Sequence, residues 1–305
     1  MNKTHLGYLL TMVSALAFAS MSLFIKMGYD AGMSAWSFSL IQSSFAFTLL
    51  LVLLRRERRA STFQGARPAI ALFLINGATS AISFNLALVH LSMSLATILL
   101  FTYPVFTALG AWAMLGQRPS RYQSAALLLT LTGAVLTANL VEIRSGDISL
   151  PGLGLALLAA VAHGIYMVTG ERISGRLTAT AATTLTRIAI LSGSILLNPR
   201  VFAEIPHVSA AGWLISLVAA VVSGVAPFLF LNQGIGLIGA NRAAIVSVAE
   251  LPFALGLGLL FQGDVIHPTQ LVGALLIVAA VVVSQRDTKE EESPDGSGAS
   301  TARSL

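Results

Sequence analysis

Two charged side chains lie deep inside apolar runs of this sequence, Glu250 within 240–260 and Arg187 within 179–197. A charge at the centre of a hydrocarbon layer costs about 2.5–3.5 kcal/mol on insertion scales, so each needs a physical reason. Glu250 stands two residues before Pro252, whose missing N–H frees a carbonyl and makes a polar pocket tolerable there. Its carboxyl could carry a proton or hold an amine, or it could lock helices together as the partner of Arg187. Arg187 lies too deep in its run to snorkel freely to water. Its guanidinium could grip a carboxylate or phosphate in two-pronged geometry, or serve as the counter-ion of Glu250. His163, near the middle of 151–170, titrates near neutrality and could relay protons, although a hydrogen bond to a neighbouring helix accounts for it equally well. Tyr166 follows three residues later, on the same helix face. Tyr103 sits beside Pro104, and the amides Gln42 and Asn85 either line a polar path or bond between helices. Asn76, Asn139, Asn232 and Gln233 are read as interhelical bonds.

The elements that must position these groups follow from composition. Hydrophobic residues make up 55% of the 305-residue chain and charged residues only 10%. Soluble domains carry about 25% charged residues to maintain a wet surface. Runs of roughly 20 apolar residues, the length that crosses a bilayer, occur at 6–25, 34–54, 68–89, 94–115, 122–140, 151–170, 179–197, 209–231, 240–260 and 268–284. The expectation is an all-α integral membrane protein of ten transmembrane helices. Short connections carry breakers or charges: Asp30-Ala31-Gly32, Arg55 to Arg59, Arg118-Pro119-Ser120, Arg144 to Pro151 and Asn198-Pro199. Residues 286–305 are charged and small, with Pro294 and Gly296, and are expected to form a disordered tail. The start resembles a signal peptide ending in Ala17-Phe18-Ala19, but apolar sequence continues to Ile25 and the segment has an internal counterpart, so it reads as a span.

Lysine and arginine orient the chain. Fourteen of the eighteen, including Arg55, Arg56, Arg58, Arg59 and Arg67, fall on the side of the N-terminus. Lys26, Arg144 and Arg200 fall on the other, and Arg187 lies within a span. The positive-inside bias therefore predicts a multi-pass protein of the inner membrane with both termini in the cytoplasm. It also explains the net charge of +5 without nucleic acid, because the cations are spread over short connections rather than gathered on one face.

The two halves echo one another. Gly7 pairs with Gly154, Gln42 with Arg187, Pro104 with Pro252, Gly110 with Gly258, and Gly116-Gln117 with Gly263-Asp264, all at offsets of 145 to 148 residues. Five spans per half is an odd number, so the second half must enter from the opposite side and the repeat is inverted. The expected units are 1–145 and 146–285. Over residues 6–284 the sequence resembles the EamA type of the drug/metabolite transporter superfamily. The best local matches are Tyr103-Pro104 through Leu115-Gly116-Gln117 and Glu250-Leu251-Pro252 through Gly263-Asp264. Typical members end each stretch in Leu-Gly-Glu, where this chain has Gln117 and then Asp264. Many carry Glu-Pro in the ninth span; here Leu251 intervenes and Glu250 takes the Glu position.

That resemblance implies a secondary transporter exporting a small polar or amphoteric metabolite, amino-acid-like, by alternating access. Its candidate site comprises Glu250, His163, Tyr166, Tyr103, Asn85, Arg187 and Gln42. The rivals are an uptake permease of the same fold and a membrane-embedded enzyme or sensor. The chain has no Walker loop, no acids or histidines at metal-ligand spacing and no cysteine, so no cofactor, resident metal or catalysis is expected. Its expected partners are a small-molecule substrate and the lipid bilayer, with either a monomer or a homodimer compatible with the sequence.

Overall fold

The computed structural model describes residues 2–57, 61, 65–137 and 149–291. Arg58, Arg59, Asn139, Arg144 and the tail from 292 onward lie outside the described residues. Among the described residues every regular element is a helix. The first half holds α1 (Lys3–Asp30), α2 (Ala35–Arg56), α3 (Arg67–Ala87), α4 (Met93–Leu100), α5 (Tyr103–Leu115) and α6 (Arg121–Thr137). The second holds α7 (Leu150–Ser174), α8 (Ala179–Leu197), α9 (Ala210–Ala219), α10 (Ala226–Ile238), α11 (Ala240–Ser247), α12 (Glu250–Leu257) and α13 (Pro268–Glu291). A π-helical turn, Ala220–Val225, joins α9 to α10, and a second, Gly258–Gln262, continues α12.

Eight helical stretches among the described residues are long and apolar enough to cross a membrane: α1, α2, α3, Leu95–Leu115, α7, Ala210–Ile238, Ala240–Phe261 and Pro268–Arg286. The chain is a multi-pass membrane protein. α6 and α8 stand beside these eight as helices of 17 and 19 residues. α13 runs to Glu291, past the start of the expected disordered tail at 286. The reason is local: Gln285 to Glu291 holds no proline or glycine, and helix-favouring residues carry the last turns onward.

Sequence chemistry sets the ends. Ser34 and Ser37 form a reciprocal capping box at the start of α2, and Ser92 and Ser209 cap α4 and α9. Gly116 closes α5 in the left-handed region at φ 70°, which costs glycine nothing. The fourth and ninth runs are both interrupted, and for one reason. Pro104 cannot donate to residue 100, where α4 ends, and Pro252 cannot donate to residue 248, the C-cap of α11.

Packing relies on small residues, because lipid tails are as apolar as leucine and association needs close contact. α6 and α13 meet at Gly133 and Gly273, where a Cβ on Gly273 would lie 2.6 Å from the Gly133 carbonyl. α1 meets α10 with Gly7 against Leu237 and Ile238. α5 meets α7 where Gly164 faces the backbone of Phe106 and Thr107, 2.8 Å from an added Cβ. Gly154, the repeat counterpart of Gly7, instead faces open space.

These contacts predict opposite outcomes for two glycine substitutions. Gly273→Val is expected to destabilise the purified protein by about 3 kcal/mol, the upper range for overpacking. Gly154→Ala should leave stability unchanged or slightly raised, since alanine is the better helix former. Thermal unfolding in detergent, followed by tryptophan fluorescence, checks both.

Candidate functional site

The broken spans place a row of aromatic and polar groups inside the bundle. Tyr103 opens α5 at the first break, and its hydroxyl donates to the Ala244 carbonyl of α11 at 3.2 Å. At the second break the Val248 N–H bonds Ile245, leaving Ala244 without its usual acceptor role, so Tyr103 supplies the missing donor. Ser247, the last residue of α11, and Glu250, the first of α12, follow Ala244 within two helical turns.

From Tyr103 the row continues along α7. The His163 ring meets Tyr103 edge-on, with centroids 4.5 Å apart and planes at 64°. Tyr166, three residues on, lies 5.7 Å from His163. Its ring stacks on Phe73 of α3 at 4.5 Å. Gly77 makes the seat for it, since a Cβ there would approach the ring to 3.2 Å. His163 Nδ1 lies 3.5 Å from the Ser80 hydroxyl, at the outer limit of a hydrogen bond.

A basic end completes the row. The Tyr166 hydroxyl is 3.4 Å from Thr186 Oγ1 and lies beside Asn232 and Arg187. Arg187 is 4% exposed, and its guanidinium donates to the Gly224 carbonyl in the π-turn. Its plane also rests 4.6 Å over the ring of Phe228, a cation–π contact. Its Nε is buried with no hydrogen-bond partner. Asn232 Nδ2 donates to Thr183 Oγ1 at 3.1 Å, one helical turn before Arg187.

The expected residues therefore divide. Tyr103, His163 and Tyr166 form one connected row; Arg187 follows Thr186 at one end, and Glu250 follows α11 at the other. The counter-ion reading of Arg187 and Glu250 is corrected: the guanidinium goes to a carbonyl and a ring, and Glu250, half-buried at the start of α12, forms no ion pair with it. Gln42 lies outside the aromatic row but close to its basic end, donating to Ser223 Oγ at 2.9 Å and to the Ala219 carbonyl at 3.3 Å. Gln42 and Arg187, paired at one repeat offset, thus both hold the π-turn segment. Asn85 is exposed and bonds back to Ala81 of its own helix. Sequence reasoning passed over Thr186 and read Asn232 as a packing amide; a threonine and an amide in apolar runs give no signal that they meet an arginine.

A cavity of about 330 Å³ lies between α1, α7, α8 and α10. Leu6, Gly170, Ala182 and Gln233 wall it, Glu57 and Thr178 stand at its rim, and Asn232 links it to the basic end. Glu57 accepts from Thr178 Oγ1 at 2.6 Å, joining the end of α2 to the start of α8. At this same end of the bundle Glu171 accepts from Gln117 Nε2 at 2.7 Å and from the Ala240 N–H at 2.6 Å. Gly239 makes the turn before Ala240 at φ 81°, beneath the carboxylate. At the opposite end Ser34 donates to Glu204, and Ser209 donates to the Ala31 carbonyl at 3.3 Å.

Known proteins resemble this chain along its length. An uncharacterized transporter of Synechocystis is 28% identical over 206 residues, which is 65% of this chain and 62% of that protein. The pseudopaline exporter of Pseudomonas aeruginosa is 25% identical over 286 residues, 93% of this chain and 97% of that one. A probable terminal-alkyne amino-acid exporter of Streptantibioticus cattleyicolor is 27% identical over 230 residues, 72% of this chain and 74% of that one. One crystal structure superposes with a TM-score of 0.71 at 16% identity, over 94% of this chain and 99% of its own, a likeness of fold. The model of the EamA-like transporter family matches residues 5–139 and again 150–285. This chain belongs to the EamA-like transporter family.

Proposed function

We propose that this protein exports a small polar or amphoteric, amino-acid-like metabolite across the bacterial inner membrane by alternating access. The observation that carries the reading is the row of polar and charged groups held inside the bundle where its two broken spans meet. Buried polar groups are costly in a membrane and mark substrate paths. Glu250, Tyr103, His163, Tyr166 and Arg187 form its binding or coupling groups, with Gln42 supporting the basic end. The names of the pseudopaline and amino-acid exporters among the relatives support both the cargo class and the direction. The lysine and arginine asymmetry supports cytoplasmic termini, so the Gln117–Glu171 end faces the cytoplasm.

Helix pairing supports two inverted units, 1–145 and 146–285. Exchanging the halves converts the α3–α7 pair into α10–α1, α5–α7 into α12–α1, and α3–α8 into α9–α2. The α2–α8 and α6–α13 pairs convert into themselves, as pairs beside a two-fold axis must.

Burial supports a state closed at the Gln117 end. There α5 and α11 pack tightly, and every residue of α11 except Arg242 is buried. All eight residues of α12, toward the other end, are only half-buried. A helix with one lipid face would show a buried stripe opposite it; α12, packed on α1, shows none. Glu171, tying α7 to both Gln117 and the start of α11, acts as the latch of the closed end.

Two experiments follow. Proteoliposomes holding the full chain should catalyse saturable counterflow of at least one amphoteric metabolite, reduced more than tenfold by Glu250→Gln. Absence of counterflow by the unmodified protein across amino acids and related metabolites would sink the transporter reading. For the latch, the chain has no native cysteine, so Ser247→Cys gives a single probe. Glu171→Ala removes two hydrogen bonds to a charged acceptor, each worth about 1.5–3 kcal/mol. It should speed impermeant maleimide labelling of Cys at that position from the Gln117 side several-fold. An unchanged rate would remove Glu171 from the gate.

A further inference from the structure

Glu250 and Arg187 are opposite charges inside one bundle, yet nothing joins them. The Tyr103–His163–Tyr166 row stands between, with ring centroids stepping 4.5 and then 5.7 Å. Glu250 follows α11, whose Ala244 carbonyl holds Tyr103, and Arg187 follows Thr186, whose Oγ1 lies 3.4 Å from the Tyr166 hydroxyl. Among the described residues Glu250 makes neither hydrogen bond nor ion pair, and Arg187 keeps a buried Nε without a partner at 4% exposure. A buried guanidinium with an unused donor edge is costly as a finished structural contact. Nη2, on Gly224, already fixes it in place, and the neighbouring Nε–H remains for an acceptor from outside the chain. Asn232 connects this end to the 330 Å³ cavity, which is within the size range of small-molecule sites.

Resting on the transport reading, we infer that the cargo carries a carboxylate and an amine several bonds apart: Arg187 takes the carboxylate through its Nε–H, and Glu250 takes the ammonium. Tyr166, Thr186 and Asn232 supply hydroxyl and amide groups around the carboxylate, and the aromatic row runs beneath the chain between the charges. The α-amino and α-carboxyl groups of one amino acid share a single carbon. They cannot reach both ends of a row that spans two ring-to-ring steps.

A homologous series tests this directly: glycine, 4-aminobutyrate, 6-aminohexanoate and 8-aminooctanoate, with hexylamine and hexanoate as single-charge controls. Binding to the purified full chain is read by thermal stability and tryptophan fluorescence. Affinity should rise at least tenfold from glycine to the longer members, which should also exceed both controls. Arg187→Gln should erase the advantage of 6-aminohexanoate over hexylamine, and Glu250→Gln its advantage over hexanoate. Arg187→Lys keeps the charge but not the planar set of donors that holds Gly224 and offers the Nε–H, and should restore only part of that preference. Because the readout is a ratio of two ligands on one protein, a loss of stability in a variant does not imitate it. A series flat in length, a preference unaffected at Arg187, or no binding by any member overturns the inference. Glu250-dependent binding of hexylamine and glycine that ignores Arg187 would do so while leaving the transport reading intact; counterflow failing as well would remove both.

Discussion

Tyr103 donating to the Ala244 carbonyl joins the two broken spans, and the interior of this bundle is organised around that bond. Pro104 and Pro252 each remove a backbone donor within an apolar run, and hydrocarbon offers no water to compensate. Irregular backbone at that depth must be satisfied by protein, which draws the breaks inward and toward each other. At the first break the Thr102 N–H and hydroxyl both donate to the Leu99 carbonyl, at 3.2 and 2.6 Å. Repairing the backbone brings α5 and α11 together. It also sets the tyrosine ring against His163, so the same bond both closes one end of the bundle and begins the polar row.

Glycines allow the rest of the assembly to approach that centre. Gly164 brings α7 against the backbone of α5, which carries His163 to Tyr103, and Gly77 opens the space that Tyr166 fills. On the outside, Gly133 and Gly273 fasten α6 to α13 away from the polar row. Close packing is thus used in two ways: to fix the scaffold pair and to position the aromatic row. The looser surroundings of α12 contrast with both, and leave Glu250 half-buried at a helix start with no fixed partner.

Carboxylates join the halves at the two ends of the bundle. Glu57 and Glu171 hold one end, and Glu204 holds the other through Ser34. Carboxylates accepting from neutral hydroxyl, amide and backbone donors make charge-assisted hydrogen bonds, stronger than neutral ones. The glycine-lined α6–α13 contact does not depend on such bonds.

Much of this was legible in local sequence. Apolar run length located the helices, serine and glycine marked several ends, and the two prolines marked the breaks, because each effect acts within about four residues along the chain. The deep positions of Glu250, Arg187, His163, Tyr166 and Tyr103 also followed from run length alone. Which faces these residues turn toward one another did not. In lipid the outward face of a helix is as apolar as the inward one, so the periodicity that orients a soluble helix is absent. Helix rotation was therefore decided only in the assembled bundle. There Arg187 met Gly224 and Phe228 instead of Glu250, Asn85 turned outward, and Asn232 and Thr186 turned in.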